Sequence, residues 1–420
     1  MPGAERDMIV RRRFWRIAGA GTAFQGGSAA VDSATVVASL VHTLTGSALA
    51  VGYASAVLRL GWVLTQLPVG YLADRATRRM PFYVVGAYGR ALATALIAGL
   101  LWWGADWPPV PLVTGFLLLW TVYAFVSGVV AVPYNDIVGR AIPSGKRSRM
   151  LAWRFFGGGL LAILVAGVLR LALDILSPLR AYAVIFAAGA LLMLISSTLF
   201  VSAGEPEVLP RKSRAATGGM GDFLREGFAT LRHDRRFRLF LIFQWLGSAT
   251  LMALPFYVVA ASGAGLGIAS VGTLLASQTA GALASNPVWG RIGDTMGKPD
   301  LLRMVAILRL LPPALALLLA VYGGGIFGFS LLFFVIGAMM NGVTIGYLGF
   351  LMEISPDDRR PAYSSWFNVF TAPAALSPLF GAALVSFVAL DAVFVAAILA
   401  ALAQIMVLRQ LSTSSPGDES

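Results

Sequence analysis

The chain has 420 residues, of which 58% are hydrophobic and 12% charged, and its mean hydropathy is +0.78. That ratio excludes a water-soluble domain and points to a polytopic membrane protein. There is no Cys, and the two His residues, His42 and His233, lie far apart, so neither a disulfide framework nor a Cys/His metal centre is expected, and no cofactor is implied. A net charge of +12 would suit a nucleic-acid partner, but its placement argues against one. Of the 32 Lys and Arg, 26 fall in the amino-terminal tail, every second loop and the carboxy-terminal end. This is the positive-inside pattern, and it predicts a multi-pass protein of the cytoplasmic (inner) membrane with both termini cytoplasmic.

Taken in order, the chain opens with Arg11-Arg12-Arg13-Phe14-Trp15-Arg16, which is similar to a twin-arginine export signal. No small-residue cleavage site closes a short apolar core, so the segment reads as a topogenic anchor ahead of an uncleaved first helix. Since a helical span needs about 20 apolar residues, we expect twelve, at 16–42, 47–72, 81–104, 110–138, 151–176, 180–203, 237–261, 267–291, 301–322, 325–352, 362–388 and 391–411. The short alternating segments of a β-barrel do not occur. The polar stretch 204–236, with Pro206, Pro210 and Gly218-Gly219, divides the chain into an amino-terminal half (1–203) and a carboxy-terminal half (237–420). Its later part, 221–238, reads either as an amphipathic surface helix with Phe223, Leu224, Phe228 and Leu231 toward the bilayer or as a flexible tether.

The two halves repeat a motif. Gly70-Tyr71-Leu72-Ala73-Asp74-Arg75-Ala76-Thr77-Arg78-Arg79 closes the second span, and Gly290-Arg291-Ile292-Gly293-Asp294-Thr295-Met296-Gly297-Lys298 closes the eighth, 220 residues later. Each copy reads Gly, three residues, Asp, then a basic end. This doubled pattern resembles the signature of the major facilitator superfamily of secondary transporters, although Ala76 and Thr77 occupy the region of an expected inner Gly and Thr295 stands where a base is usual. The resemblance implies an all-α membrane protein of twelve transmembrane helices in two pseudo-symmetric six-helix halves, with a substrate site at their interface. It also implies a gate. Asp74 and Asp136 are expected to pair with Arg75, Arg78 or Arg79, and Asp294, Lys298 and Glu353 to do the same in the second half, as pairs that form in one conformation and break in the other. The plainer alternative is that these charges only close tight turns.

Several charges fall inside spans, where an ionisable group is costly unless paired or hydrated. Asp32 and Arg59 lie about equally far from the first turn and either form a static pair or bind a proton or solute. By resemblance to proton-coupled members of the superfamily, Asp32 is the candidate proton carrier. Arg90 and Arg309 occupy matching positions in the two halves and are expected to pack between helices rather than face the cavity. The resemblance places the cavity on the first, fourth, seventh and tenth helices, aided by the second, fifth, eighth and eleventh, which carry Gln25, Tyr123, Asn135, Gln244, Gln278, Asn341, Trp366 and Asn368. Aromatics with a few amides suit an amphipathic organic solute. Gly157-Gly158-Gly159 in the fifth span lacks the Pro of the drug-antiporter element.

The expected function is therefore secondary active transport of a small organic solute by rocker-switch alternating access, proton-coupled through Asp32, with export favoured over import. Its partners are the solute, a proton and the lipid bilayer, and the protein is expected to be a monomer. Alternatives are an anion porter using Arg59 and Arg154, and a transporter-like sensor or assembly factor that no longer transports. Nothing in the sequence resembles a nucleophile with its base or a phosphate-binding loop, so an enzyme is not expected.

Overall fold

The computed structural model describes residues 3–206, 220–295, 298–354 and 360–413, and its regular structure there is helical. The linker residues 207–219, and the side chains of Asp74, Arg75, Phe223, Leu224, Asp294, Lys298, Asn341 and Glu353, lie outside that description. The first expected span is two helices, α1 (Gly3–Ala30) and α2 (Val36–Thr45), followed by α3 (Ala48–Arg75) and α4 (Met80–Trp103). Next come α5 (Pro109–Val129) with α6 (Ala131–Ala141), then α7 (Ser144–Ile175) and α8 (Pro178–Ala203). The linker supplies α9 (Met220–His233), so this part is a helix rather than a tether. The remainder is α10 (Arg235–Thr250) and α11 (Leu254–Gly263) around a 3-10 turn, α12 (Ser270–Thr295), α13 (Lys298–Leu308), α14 (Leu311–Tyr322) and α15 (Gly325–Ile354). The chain closes with α16 (Arg360–Thr371), a second 3-10 turn, α17 (Ser377–Phe387) and α18 (Leu390–Thr413).

Five spans expected to be continuous are thus divided: the first, fourth, seventh, ninth and eleventh. Proline explains most of the breaks, because it removes an amide donor and clashes with the preceding turn. Pro255 follows the 3-10 turn Leu251–Ala253, Pro312 and Pro313 follow the break at Arg309 and Leu310, and Pro373 opens the turn Ala372–Leu376. Among the described residues, nine segments are long and apolar enough to cross a membrane. Of the other expected spans, the first is split near Asp32 and the tenth qualifies only as the shorter apolar stretch Gly325–Met340. The eighth, α12, carries Gln278, Asn286 and several hydroxyls.

Within residues 3–206, α1 packs on α7 and α8, α4 on α8 and α5, and α3 on α5. Within 220–413, α12 packs on α15, α10 on α18, and α13 on both α15 and α18. Glycine permits the closest approaches. A Cβ on Gly337 would lie 1.8 Å from the carbonyl oxygen of Gln278, one on Gly281 1.9 Å from that of Phe334, and one on Gly128 2.6 Å from that of Gly61. Backbones meet this closely only where no side chain intervenes, and Gly61 and Gly281 stand the same 220 residues apart as Asp74 and Asp294. The two sets of helices meet where α7 packs on α12, α3 on α17 and α2 on α11. These contacts reach the end of the molecule opposite the termini. Gly52 lies against Pro378 and Ala382, Gly272 lies against Ala166 and Arg170, and the Arg170 guanidinium donates to Thr273 Oγ1 at 3.1 Å.

Candidate functional site

The break between α1 and α2 is a local event centred on Asp32. Its Oδ1 accepts the Thr35 hydroxyl at 2.7 Å, the Thr35 amide at 2.8 Å and the Ala34 amide at 3.1 Å, while its carbonyl receives the Val37 amide at 2.9 Å. An aspartate that bonds amides two and three residues ahead offers the chain an alternative to continuing the helix, and α2 then starts afresh. The run Asp32-Ser33-Ala34-Thr35 carries that signal inside an apolar span. Among the described residues Asp32 makes no ion pair with Arg59, so of the two readings left open the static pair is not the one this structure holds; Asp32 Oδ1 bonds within its own turn instead.

Asp32 borders two spaces. The larger, of about 580 Å³, is walled by α1, α3, α4, α5, α6, α7 and α8 and extends from Asp32 toward the end that carries the termini; it lies within the amino-terminal half, whereas the resemblance implied a site at the interface of the two halves. Arg59, Tyr123 and Asn135 line it as expected cavity residues, and Arg90 and Arg154 line it as well. Arg90 is buried and packs 4.1 Å over the ring of Phe24, in keeping with the expected packing between helices, and it borders this space as well. Arg154 reaches the same wall from α7, donates to Tyr134 Oη at 2.8 Å, and lies 5.8 Å from the centroid of Phe24. Gly21 makes room for it, since a Cβ there would stand 2.6 Å from Arg154 Cγ and Cδ. The second space, of about 220 Å³, lies between α1 and α7 on one side and α12 and α15 on the other, and Gln25 and Gln278 line it. The Gln278 Oε1 atom is buried without a hydrogen-bond partner.

Other expected cavity residues sit elsewhere. Trp366 is fully buried in the aromatic core formed with Phe237, Phe240 and Phe367, where it also covers Gly227 of α9. Asn368 is exposed, and Gln244, half-buried on α10, borders neither space. The aromatic face of this helix is what draws it into the core: at 3.6 residues per turn, Tyr363, Trp366, Phe367 and Phe370 share one side.

Near the termini the structure gathers a charge cluster. Asp136 Oδ2 is 2.5 Å from Arg140 Nη2 and 3.8 Å from Arg79 Nε, and Arg140 Nη2 also reaches Glu205 Oε1 at 2.8 Å. Glu205, just beyond α8, was not among the expected gate residues. It accepts the backbone amides of Arg79 and Met80 at 2.9 Å each, capping α4. Burial opposes its charge, yet the Arg140 guanidinium and these two amides outweigh that cost and hold its pKa below the ordinary glutamate value. The available signal was its position one residue past Gly204, at the end of a span facing two basic helix ends. Arg78 is exposed and belongs to no described ion pair. In the second set, Asp234 caps α10 by accepting the Phe237 amide at 2.8 Å and receives the Tyr363 hydroxyl at 2.7 Å, which ties the end of α9 to α16. No group of His, Cys, Asp and Glu among the described residues is arranged to hold a metal ion.

A family model described as Major Facilitator Superfamily matches residues 18–372. No curated protein matches the sequence. A mutant of the nucleoside transporter NupG superposes with a TM-score of 0.72 at 13% identity, covering 96% of this chain and 99% of that one. A POT family transporter in complex with 5-aminolevulinic acid gives 0.68 at 13% identity, covering 97% and 96%. An auto-inhibited POT family peptide transporter gives 0.67 at 13% identity, covering 96% of each chain. These similarities are of fold.

Proposed function

Because this chain belongs to the Major Facilitator Superfamily, we propose that it is a secondary transporter moving a small organic solute across the inner membrane by alternating access, with the cavity beside Asp32 as its solute site. In this reading residues 1–203 and 237–420 are two rocking halves of a monomer, 204–236 links them, and both termini are cytoplasmic. The observation that carries it is a pair of spaces that meet at Asp32, one of 580 Å³ within the first half running toward the end bearing the termini and one of 220 Å³ between the halves, set against close helix contacts at the other end. That combination is what an inward-facing carrier requires: solute access on one side and a packed barrier on the other. The cluster of Arg79, Asp136, Arg140 and Glu205 supplies separable charge pairs for the cytoplasmic gate.

Asp32 is the proposed proton site. Protonation would replace a charged acceptor by a neutral one in the three bonds that separate α1 from α2, and so couple proton binding to the angle between two half-helices that line the path. In proteoliposomes, wild-type protein should accumulate solute when a pH gradient is imposed and also exchange it without one. Asp32→Asn should retain exchange and lose accumulation. Undiminished accumulation in that variant removes the coupling role.

A further inference from the structure

We propose that the solute is a small organic anion: Arg59, Arg90 and Arg154 form an oxyanion site for a carboxylate or phosphate monoester, and the neighbouring ring of Trp62 receives its planar body. This deepens the transport reading and rests on it. The cavity wall carries three guanidinium groups and one carboxylate. Asp32 Oδ1 takes three bonds within its own turn, so this carboxylate pairs with none of the three arginines and leaves them in excess. Arg59 makes no hydrogen bond or ion pair among the described residues, and the Nε atoms of Arg90 and Arg154 are buried without partners. Arg90 and Arg154 also approach one ring, at 4.1 and 5.8 Å from the centroid of Phe24, so their charges repel at short range away from bulk water.

Each class of solute meets this wall differently. A cation adds to the repulsion. A neutral molecule leaves charged donors unpaired in a partly dry site, which is expensive. An oxyanion relieves the repulsion and accepts from guanidinium forks whose geometry matches it. The arginines are placed rather than stray: Gly21 clears the space Arg154 crosses, and Tyr134 holds its Nη1. Trp62, about half exposed on α3, borders the same space and offers flat apolar area for the body of the ligand, while Phe24, Tyr83 and Tyr123 stand in the wall behind the arginines.

The test uses four ring compounds of similar size with purified protein in a neutral detergent: benzoate, phenyl phosphate, benzamide and benzylammonium. Half-saturation is read from the concentration dependence of the melting temperature. At least one anion should bind tenfold or more tightly than benzamide, and benzylammonium should bind least. Arg59→Gln and Arg154→Gln should each weaken the anion tenfold or more, whereas Arg180→Gln, at the exposed Asp106 pair, should not. Arg154→Lys, which keeps the charge but loses the fork, should fall between. Benzamide or benzylammonium binding as tightly as the anions, no binding of either anion up to tens of millimolar, or anion binding that survives Arg59→Gln and Arg154→Gln together, each overturns the proposal. Parallel proteoliposome exchange separates the two readings. Anion binding without movement of any solute keeps the oxyanion site and removes transport, while movement of benzamide with no anion preference keeps transport and removes the oxyanion site.

Discussion

Gly52 tests whether the contact between α3 and α17 is a barrier that one conformation closes and another opens. A methyl group there would stand 2.4 Å from Ala382 Cβ and 2.7 Å from the Pro378 carbonyl oxygen. Both neighbours are buried and neither has a flexible side chain to withdraw, so the helices themselves must separate. Overpacking of this kind costs about 1–3 kcal/mol. If the contact exists only while that end is closed, the whole cost falls on the closed state, and the balance shifts toward the open one by roughly 5- to 150-fold. The chain has no Cys, so spin labels at Leu49→Cys and Phe387→Cys, both at exposed positions near this end, report the distance cleanly. Gly52→Ala should add or enlarge a population at longer distance. Gly61→Ala, whose Cβ would meet Ala124 at 2.6 Å within the first set of helices, should lower the melting temperature without moving the distribution. A folded Gly52→Ala protein with the wild-type distribution refutes the reasoning.

Glu205 predicts a pH signature. Its folded-state pKa is depressed, so the stability it contributes is present above its unfolded value and is lost as pH falls through the lower folded value. Glu205→Gln should therefore melt below wild type at neutral pH, with the gap closing under acid conditions below the usual carboxylate range; a gap that stays constant on acidification contradicts this. Gln404 gives a second case. It is fully buried, accepts Arg309 Nη1 at 3.0 Å and donates to the Phe243 carbonyl at 2.9 Å, joining α18 to the α13–α14 break and to α10. Gln404→Leu strands a buried guanidinium and should cost about 1.5–3 kcal/mol, read as a lowered midpoint in thermal or denaturant melts. An unchanged midpoint would show that Arg309 finds another acceptor.

Much of this protein is written locally. Hydropathy over windows of twenty residues marks most of the spans because the bilayer forces each backbone amide to be satisfied inside its own helix. The doubled Gly-to-Asp motif, at a spacing of 220, similarly exposes the repeat without any knowledge of packing. What periodicity hides is the interruption of a span, since an apolar run stays apolar through a break. The prolines near 255, 312 and 373 and the run from Asp32 to Thr35 were the readable signals for it.

Which charges share a site was decided by tertiary structure alone. Arg59, Arg90 and Arg154 stand on three helices, and their convergence on one cavity depends on helix rotation and on the absence of a side chain at Gly21. Glu205 joins Arg140 and Asp136 only because the end of α8 returns to the start of α4. Trp366, an aromatic of the kind that lines cavities, is turned into a core by three aromatic neighbours on its own helix face. The sequence determines which segments enter the membrane because that choice is made residue by residue against lipid. The site depends on the angles at which those segments meet, and those angles are set by contacts between residues far apart in the chain.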